Sequence, residues 1–194
     1  MPRHDVILAS ASPRREELLG LIFKEFWVMP SEFDESTVPH DLPPNEQVMY
    51  SSLMKARDVA AKNPKSLVIA ADTIVVVDET ILGKPCDRAD AARMLKLLRG
   101  RTHQVYTGIA IVYCGDEHNA FECTDVTFSN LSDEVISRYV SSGEPMDKAG
   151  AYAIQGRGAV LIESICGCYF NVVGLPVHKL SMILNELGIP PLTC

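Results

Sequence analysis

The chain has 194 residues and a mass of 21.3 kDa, the size of one large domain or two small ones. Hydrophobic residues make up 47% of it and charged residues 22%, the balance of a globular protein with enough apolar material for a core. The formal net charge of -7 argues against nucleic-acid polymers and anionic membranes as partners, because both require a dominant basic field. We therefore expect a single domain over residues 1–194, either one compact body or two lobes around a cleft.

The hydrophobic pattern shows neither a membrane span nor a secretion signal. The longest apolar stretch, residues 67–77, is interrupted by Asp72 and is far shorter than the roughly 20 residues needed to cross a bilayer. The N-terminal segment lacks the long apolar region of a signal peptide. The six cysteines lack the spacing of a disulfide scaffold, and Cys166 and Cys168 have too few companion ligands for a metal site. These patterns predict a cytoplasmic protein with reduced thiols.

Strands and helices alternate along the predicted chain. Apolar residues three and four apart indicate helices, and short apolar runs between turn residues indicate strands. In chain order the predicted elements are a strand at 6–9, a helix at 14–19 capped by Ser12, a strand at 26–29, a helix from 45 to 62, a strand at 67–77, its return at 81–82, a helix that Asp87 caps and that ends at Gly100, hairpin strands at 105–113 and 121–128, a helix that Ser132 caps and that ends near Gly143, strands at 160–162 and 169–173, and a helix at 177–187. This order predicts an α/β fold with a mixed, twisted central sheet flanked by helices.

Several common catalytic signatures are missing. The sequence contains neither the P-loop pattern G-x-x-x-x-G-K-[ST] nor a G-x-G-x-x-G after the first strand. It also lacks G-x-S-x-G, H-E-x-x-H and zinc-finger spacings. A P-loop enzyme, a dinucleotide-binding fold, a serine hydrolase and a zinc enzyme are therefore not favoured.

The first candidate site is the turn from Ser10 to Arg15, between the first strand and the first helix. Free N–H groups at the helix start and the guanidinium groups of Arg14 and Arg15 can converge there on an anion such as phosphate. The alternative is a capped helix whose arginines pair with nearby surface acids.

The second candidate is Asp72, a carboxylate inside an otherwise apolar strand. An unpaired charge at such a position is costly, so its presence needs a reason. A general base or a metal ligand is the functional interpretation, and a structural carboxylate bonded to backbone groups at a kink is the alternative. We favour the functional interpretation.

Cations at turns and one amide complete the candidates. Lys84, Arg101 and Lys148 are each typical solvated surface charges, but together with the arginines they can form a pocket for a polyphosphate. Gln155 lies in an apolar setting between glycines, where it is either part of a hydrogen-bonded turn or a reader of a nucleobase edge, because an amide both donates and accepts.

Five motifs follow one another along the chain: Ser10-Ala11-Ser12-Pro13-Arg14-Arg15, Ala71-Asp72-Thr73, Gly83-Lys84-Pro85, the segment 143–152 and Asn171-Val172-Val173-Gly174-Leu175-Pro176. In this order they resemble the Maf family of nucleoside triphosphate pyrophosphatases over nearly the whole chain. The resemblance implies a Maf/ITPase-like fold and hydrolysis of a nucleotide to its monophosphate and pyrophosphate. Ala153, in place of a common glycine, and the turn at Cys166-Gly167-Cys168 depart from the family pattern outside the motifs.

The resemblance also implies roles for individual residues. Asp72 matches the catalytic carboxylate, and Asp72 and Glu35 are the expected ligands of a divalent cation, Mg²⁺ or Mn²⁺. The expected substrate-binding residues are Ser10, Arg14, Arg15, Glu35, Lys55, Thr73, Lys84, Lys148 and Gln155. Arg14, Thr73 and Gln155 match the branch that acts on dTTP and UTP, and relatives commonly form homodimers. The alternatives are the sister branch that acts on 7-methyl-GTP and a non-catalytic, nucleotide-binding regulator of cell division.

Overall fold

A computed structural model describes residues 5–192, and the chain divides into two compact units. The first unit contains the chain up to Asp72, Thr107–Glu122 and the residues from Gly174 onward. The second unit contains Thr73–Tyr106 and Cys123–Val173. The chain passes from one unit to the other four times, three times inside the long strands and once between Val173 and Gly174, so no linker is visible in the sequence. A single domain over 1–194 stays a prediction.

The strands of residues 5–192 form a mixed sheet, as predicted. They are β1 (Val6–Leu8), β2 (Trp27–Val28), β3 (Leu67–Val77), β4 (Thr80–Leu82), β5 (Thr102–Tyr113), β6 (Asp116–Phe128) and β7 (Ile162–Cys166). Their order in the sheet is β2-β1-β3-β5-β6-β7, with β4 paired to β3. Strand β1 pairs in parallel with β2 and β3, with Ile7 beside Trp27 and Val68, whereas the β3–β4 and β6–β7 pairs are antiparallel.

The first unit contains the helices α1 (Pro13–Leu19), α2 (Pro44–Lys62) and α6 (Val177–Glu186), and α2 packs against the N-terminal half of β3. The apolar face of α2, with Ala56 and Val59, packs on Val68 and Ala70. A Cβ at Gly108 would lie 2.2 Å from the Val48 carbonyl oxygen, so only glycine lets α2 approach β5 this closely.

The second unit has its own core, formed by α3 (Arg88–Leu98), α4 (Asp133–Ser141) and the ends of the long strands. The predicted caps are confirmed for both helices: the Asp87 side chain accepts from the Asp90 N–H at 2.8 Å, and Ser132 Oγ accepts from the Val135 N–H at 3.3 Å. None of the helices within residues 5–192 is long and apolar enough to cross a membrane.

The predicted strands at 160–162 and 169–173 are wrong. Residues 156–161 form a 3₁₀ helix before β7, and α5 (Tyr169–Val173) is a helical turn. The Asn171 N–H donates to the Cys168 carbonyl at 3.1 Å and starts this turn. The Asn171 side chain is buried and donates to the Val105 carbonyl and to Thr124 Oγ at 2.9 Å each, which a local apolar run cannot reveal.

The cap of α1 also differs from the prediction. Ser12 occupies the position before the helix, but its side chain makes no capping hydrogen bond. Its backbone N–H instead donates to Ser10 Oγ at 3.2 Å, so the polar groups of this turn face the end of β1.

Candidate active site

Arg15 ties the turn between β1 and α1 to two distant parts of the first unit. Its Nη1 donates to Ser10 Oγ at 3.3 Å and to the Ala71 carbonyl at 2.7 Å, and its Nε donates to the Gly174 carbonyl at 2.9 Å. Ser10 is buried and Arg15 half-buried. The guanidinium group therefore fixes the backbone of β3 immediately before Asp72.

The guanidinium group of Arg15 interacts with the charges of Asp72, Glu35 and Arg14. Burial lowers the pKa of Arg15 from its ordinary value, the nearby carboxylates of Asp72 and Glu35 raise it, and the neighbouring Arg14 lowers it. Arginine stays protonated in proteins, so this turn carries a fixed positive charge. Arg14, which is also half-buried, adds a second one.

Glu35, Lys55 and Asp72 form the centre of the candidate site, here named the Lys55 cluster. Lys55 Nζ lies 2.6 Å from Asp72 Oδ1 and 2.6 Å from Glu35 Oε1. The side chains of Lys55 and Asp72 are 10% and 16% exposed, whereas that of Glu35 is 58% exposed. The carboxylate inside the apolar strand is thus neutralised by a lysine side chain, and the shared ammonium holds a second carboxylate beside it.

Helix α2 explains how Lys55 reaches this position. Its buried residues recur three and four apart, and Lys55 lies on this face between Ser52 and Val59. A lysine stem can follow an apolar surface while its ammonium group meets a charge. Reasoning from residue types did not single out Lys55, and the available signal was a cation on the apolar face of a helix.

The loop that carries Glu35 is fixed at its base. Asp58 on α2 accepts from Ser31 Oγ at 2.9 Å and from the Glu32 N–H at 2.7 Å. Asp34 accepts from the Ser36 N–H at 2.9 Å and caps the short 3₁₀ helix at Glu35–Thr37. These bonds therefore fix the loop up to Glu35, the residue that contacts Lys55.

The other predicted site residues lie in the second unit. Thr73 follows Asp72 in β3 and is half-buried, Lys84 is exposed, and Gln155 is half-buried. The Lys148 side chain is 10% exposed and forms an ion pair with Asp147. The roles of these four residues stay predictions.

The donor set of the Lys55 cluster fits a hard divalent cation. No group of three His, Cys, Asp or Glu side chains within residues 5–192 is arranged to hold a metal by itself. Mg²⁺ commonly binds through one or two carboxylates, with water and substrate phosphates completing its shell. Glu35 and Asp72, which both contact the ammonium group of Lys55, are such a pair of carboxylates.

The cysteines behave as predicted within the described residues. Cys86, Cys114, Cys166 and Cys168 are free thiols, the Cys123 thiol is hydrogen-bonded with the Tyr106 hydroxyl, and Cys194 lies outside residues 5–192. Cys166 and Cys168 are not joined to each other, so the turn between β7 and α5 is held by hydrogen bonds such as that from the Cys168 N–H to Thr124 Oγ at 3.0 Å.

Comparison with known proteins supports the resemblance to the Maf family. A family model described as "Maf-like protein" matches residues 5–187. A dTTP/UTP pyrophosphatase of Symbiobacterium thermophilum is 53% identical over 188 residues, which cover 97% of this chain and 96% of that protein. A dTTP/UTP pyrophosphatase of Moorella thermoacetica is 51% identical over 186 residues, with 95% of each chain covered.

A solved structure supports the fold. The "Structure of a HAM1 protein from Coxiella burnetii" matches with a TM-score of 0.52 at 15% identity and covers 95% of this chain and 100% of that one. At this identity the likeness concerns the fold alone, and it agrees with the predicted Maf/ITPase-like architecture. The match of the family model over residues 5–187 shows that the chain belongs to the Maf-like protein family.

Proposed function

We propose that the chain hydrolyses dTTP and UTP to the corresponding monophosphate and pyrophosphate. The relatives named dTTP/UTP pyrophosphatase, which are about half identical over nearly the whole chain, support the substrate class. The observation that carries the reaction class is the partly buried Asp72 carboxylate, held on Lys55 beside Glu35. Binding of a triphosphate does not by itself call for two carboxylates beside its phosphates. Activation of a water molecule there does, because it uses a carboxylate as a general base.

In the proposed reaction, water attacks the α-phosphorus and the bond to the oxygen that bridges the α- and β-phosphorus breaks. Asp72 Oδ1 is engaged by Lys55 Nζ, so we assign the proton of the water to Oδ2 of the same carboxylate. The electron pair of the broken bond leaves with pyrophosphate. Lys55 keeps Asp72 oriented, and Glu35 limits the number of positions the ammonium group can take.

A divalent cation, Mg²⁺ or Mn²⁺, would be held by Glu35 and Asp72. When bound, it would neutralise the charge that develops on the phosphate oxygens. The remaining positive charge comes from the chain itself: we assign Arg14, Lys84 and Lys148 to the phosphates. The bonds of Arg15 to Ser10, Ala71 and Gly174 support a role in fixing the conformation of the turn between β1 and α1 as well as in giving it positive charge.

Base recognition is assigned to Thr73 and Gln155. Uracil and thymine share an acceptor at O4 and a donor at N3, and one amide can satisfy both. The 5-methyl group then needs only space, which allows dTTP and UTP to use the same pocket. The thiols of Cys86, Cys114, Cys166 and Cys168 support the cytoplasm as the proposed location. A homodimer remains a prediction of the family resemblance, and light scattering after size-exclusion chromatography tests it.

The decisive experiment measures pyrophosphate release by the purified protein with Mg²⁺ from dTTP, UTP, CTP, GTP and 7-methyl-GTP. We expect turnover of dTTP and UTP well above that of the other three. Preference for 7-methyl-GTP would keep the chemistry and overturn the base assignment. Nucleotide binding without turnover would overturn the proposed hydrolysis in favour of a regulator.

A further inference from the structure

Residues 152–158, here named the Gln155 segment, are bound on both sides of Gln155 by side chains of the second unit. The segment leads from the buried Tyr152 into the 3₁₀ helix that starts at Gly156. The bonds join these side chains to backbone N–H groups of the segment, and they fix the backbone that carries Gln155.

Glu144 holds the C-terminal side. Its Oε2 accepts from the Arg157 N–H at 3.1 Å, and its Oε1 accepts from the Gly158 N–H at 3.0 Å. Glu144 lies three residues after the end of α4, and its own N–H donates to Ser142 Oγ at 3.3 Å. Both oxygens of one carboxylate thus bind consecutive backbone groups just after Gln155.

Tyr139 holds the N-terminal side. Its buried Oη accepts from the Ala153 N–H at 3.2 Å and donates to Glu144 Oε1 at 3.0 Å. The anchored N–H groups therefore belong to Ala153, two residues before Gln155, and to Arg157 and Gly158, two and three residues after it. We name Tyr139 and Glu144, with these three N–H groups, the Glu144 brace.

The space at Gly156 and Gly158 shows how closely the brace contacts the Gln155 segment. Gly156 has φ +70°, and a Cβ there would lie 2.9 Å from Glu144 Oε2. A Cβ at Gly158 would lie 2.2 Å from the Ala153 carbonyl oxygen and 2.7 Å from Tyr139 Oη. The pattern Gly156-Arg157-Gly158 is therefore explained by the approach of Glu144 to Gly156 and of the Ala153 carbonyl and Tyr139 to Gly158.

The charge of Glu144 strengthens these bonds. Partial burial acts to raise the pKa of Glu144, but the N–H groups of Arg157 and Gly158, the Tyr139 hydroxyl and the charge of Lys148 outweigh it and lower the pKa. The group is therefore a carboxylate near neutral pH. Hydrogen bonds to an ionised acceptor are about twice as strong as neutral ones.

We infer that Glu144, with Tyr139, is a positioning residue that fixes Gln155 and thereby sets the choice between nucleotide bases. This inference rests on the proposed function, in which Gln155 contacts the base. Glu144 binds the backbone and Tyr139 and interacts with the charge of Lys148. An effect through Gln155 changes the choice between bases, whereas an effect through Lys148 changes all triphosphates alike. Discrimination between bases depends on where one amide is held, and the brace holds it from both sides.

The variant Glu144→Gln tests this inference, because it keeps the size of the side chain but turns one acceptor oxygen into a donor amide. We expect the KM for UTP to rise about tenfold, the kcat to change less, and the preference for UTP over CTP to fall about tenfold. Hydrogen exchange of the Arg157 and Gly158 amides should become faster. Tyr139→Phe, which removes one hydroxyl, should act in the same direction by about threefold.

Glu134→Gln is the matched control, since Glu134 lies exposed on α4 and only approaches Arg138 at 4.0 Å. It should leave the kinetics unchanged. In the double variant Glu144→Gln with Gln155→Ala, discrimination should be no lower than in Gln155→Ala alone, because both changes act through one amide. An additive loss, or faster exchange with unchanged discrimination, would overturn the inference.

The failure of the proposed function would look different. Wild-type protein that binds nucleotides but releases no pyrophosphate would overturn the hydrolysis only. The inference is then decided by calorimetry, where Glu144→Gln must lower the ratio of UTP to CTP affinity. Absence of any nucleotide binding by the wild type would overturn both.

Discussion

The Lys55 cluster in the first unit and the Glu144 brace in the second use carboxylates in opposite ways. Asp72 and Glu35 share the ammonium group of Lys55 and lie near the guanidinium group of Arg15, so ionised side chains of both signs meet there. The oxygens of Glu144 are bonded to two backbone N–H groups and a tyrosine hydroxyl of its own unit. The first arrangement brings ionised side chains together, and the second uses the charge of its carboxylate to fix the backbone.

Exposure follows the same division. Glu35 is more than half exposed on a loop, although the loop base is fixed by Asp58, whereas the groups around Glu144 include the buried Tyr139 and Gly158. A partly buried carboxylate is therefore not by itself a sign of catalysis. What distinguishes the two is whether the partners are ionised side chains or the backbone.

The largest expected effect is the loss of activity in Asp72→Asn. The amide keeps the shape but cannot take a proton from water, and general bases contribute about 100-fold to 10,000-fold to the rate. We expect kcat for UTP to fall by at least about a hundredfold. Pyrophosphate release by the purified variant measures it, with circular dichroism to establish that it is folded.

Asp133→Asn is the control for this change, because Asp133 forms exposed ion pairs with Lys96 and Arg99. It should retain normal turnover. A folded Asp72→Asn protein with near-normal turnover would remove Asp72 from the mechanism and with it the contrast between the two regions.

The second prediction concerns the pH dependence of stability near the brace. His103 is 2% exposed, its Nε2 lies 2.7 Å from Tyr152 Oη, and its Nδ1 has no hydrogen-bond partner within residues 5–192. Burial lowers the pKa of His103 to about 4 from an ordinary 6.5. The unfolded chain therefore binds a proton between pH 6.5 and 4 that the folded chain resists, and stability falls as the pH is lowered through this window.

We expect this group to account for roughly 2–3 kcal/mol of the stability lost between pH 7 and pH 4.5. Urea unfolding of wild type and His103→Gln at both pH values measures the difference, which should be smaller in the variant by that amount. His118→Gln, on β6 in the first unit, is the control and should follow the wild type. Equal losses in wild type and His103→Gln would show that the imidazole is protonated in the folded protein.

The third prediction returns to the Lys55 cluster. Lys55→Met leaves the two carboxylates without their shared cation, so like charges repel and Asp72 loses its orientation. We expect kcat to fall about tenfold or more, on the scale of a hydrogen bond to a charged group. Lys62→Met is the matched control, since Lys62 lies on the same helix and pairs with Glu32 of the same loop at 2.8 Å. If both variants lose activity equally, the effect belongs to the loop and not to the cluster.

The smallest effect compares two glycines. Gly156 and Gly188 have φ of +70° and +71°, but only Gly156 has atoms of another residue within 4 Å of an added Cβ. Substitution by alanine should cost about 1 kcal/mol at each position for the left-handed backbone. Gly156→Ala should cost about 1 kcal/mol more, because the clash breaks bonds to Glu144. Urea denaturation of both variants measures this, and equal costs would mean that Glu144 moves away freely.

Elements with strong local signals could be predicted from the sequence. The strand at Leu67–Val77 has the predicted bounds, and the helices capped by Asp87 and Ser132 begin at the predicted positions. An apolar run between turn residues and a carboxylate before a helix are both read within a few residues. At Tyr169–Val173 the same rules are wrong, because a buried side-chain amide bonded to residues 47 and 66 positions away decides the local structure.

The candidate site divides in the same manner. Asp72 and the arginines at positions 14 and 15 are conspicuous because a charge in an apolar strand and two cations at a helix start are local anomalies. The partners of these residues are not local: Lys55 lies 17 positions from Asp72, and Gly174 lies 159 positions from Arg15. The sequence alone leaves open whether Arg15 faces solvent, a phosphate or the carbonyl groups that it binds.

The sequence by itself determined the alternation of strands and helices, the mixed sheet and the carboxylate that needs a partner. Only the tertiary structure decided which cation neutralises Asp72 and which backbone groups use the charge of Glu144. The physical reason is that periodicity and capping depend on neighbours within one or two turns, whereas the pairing of buried charges depends on which distant side chains lose water together.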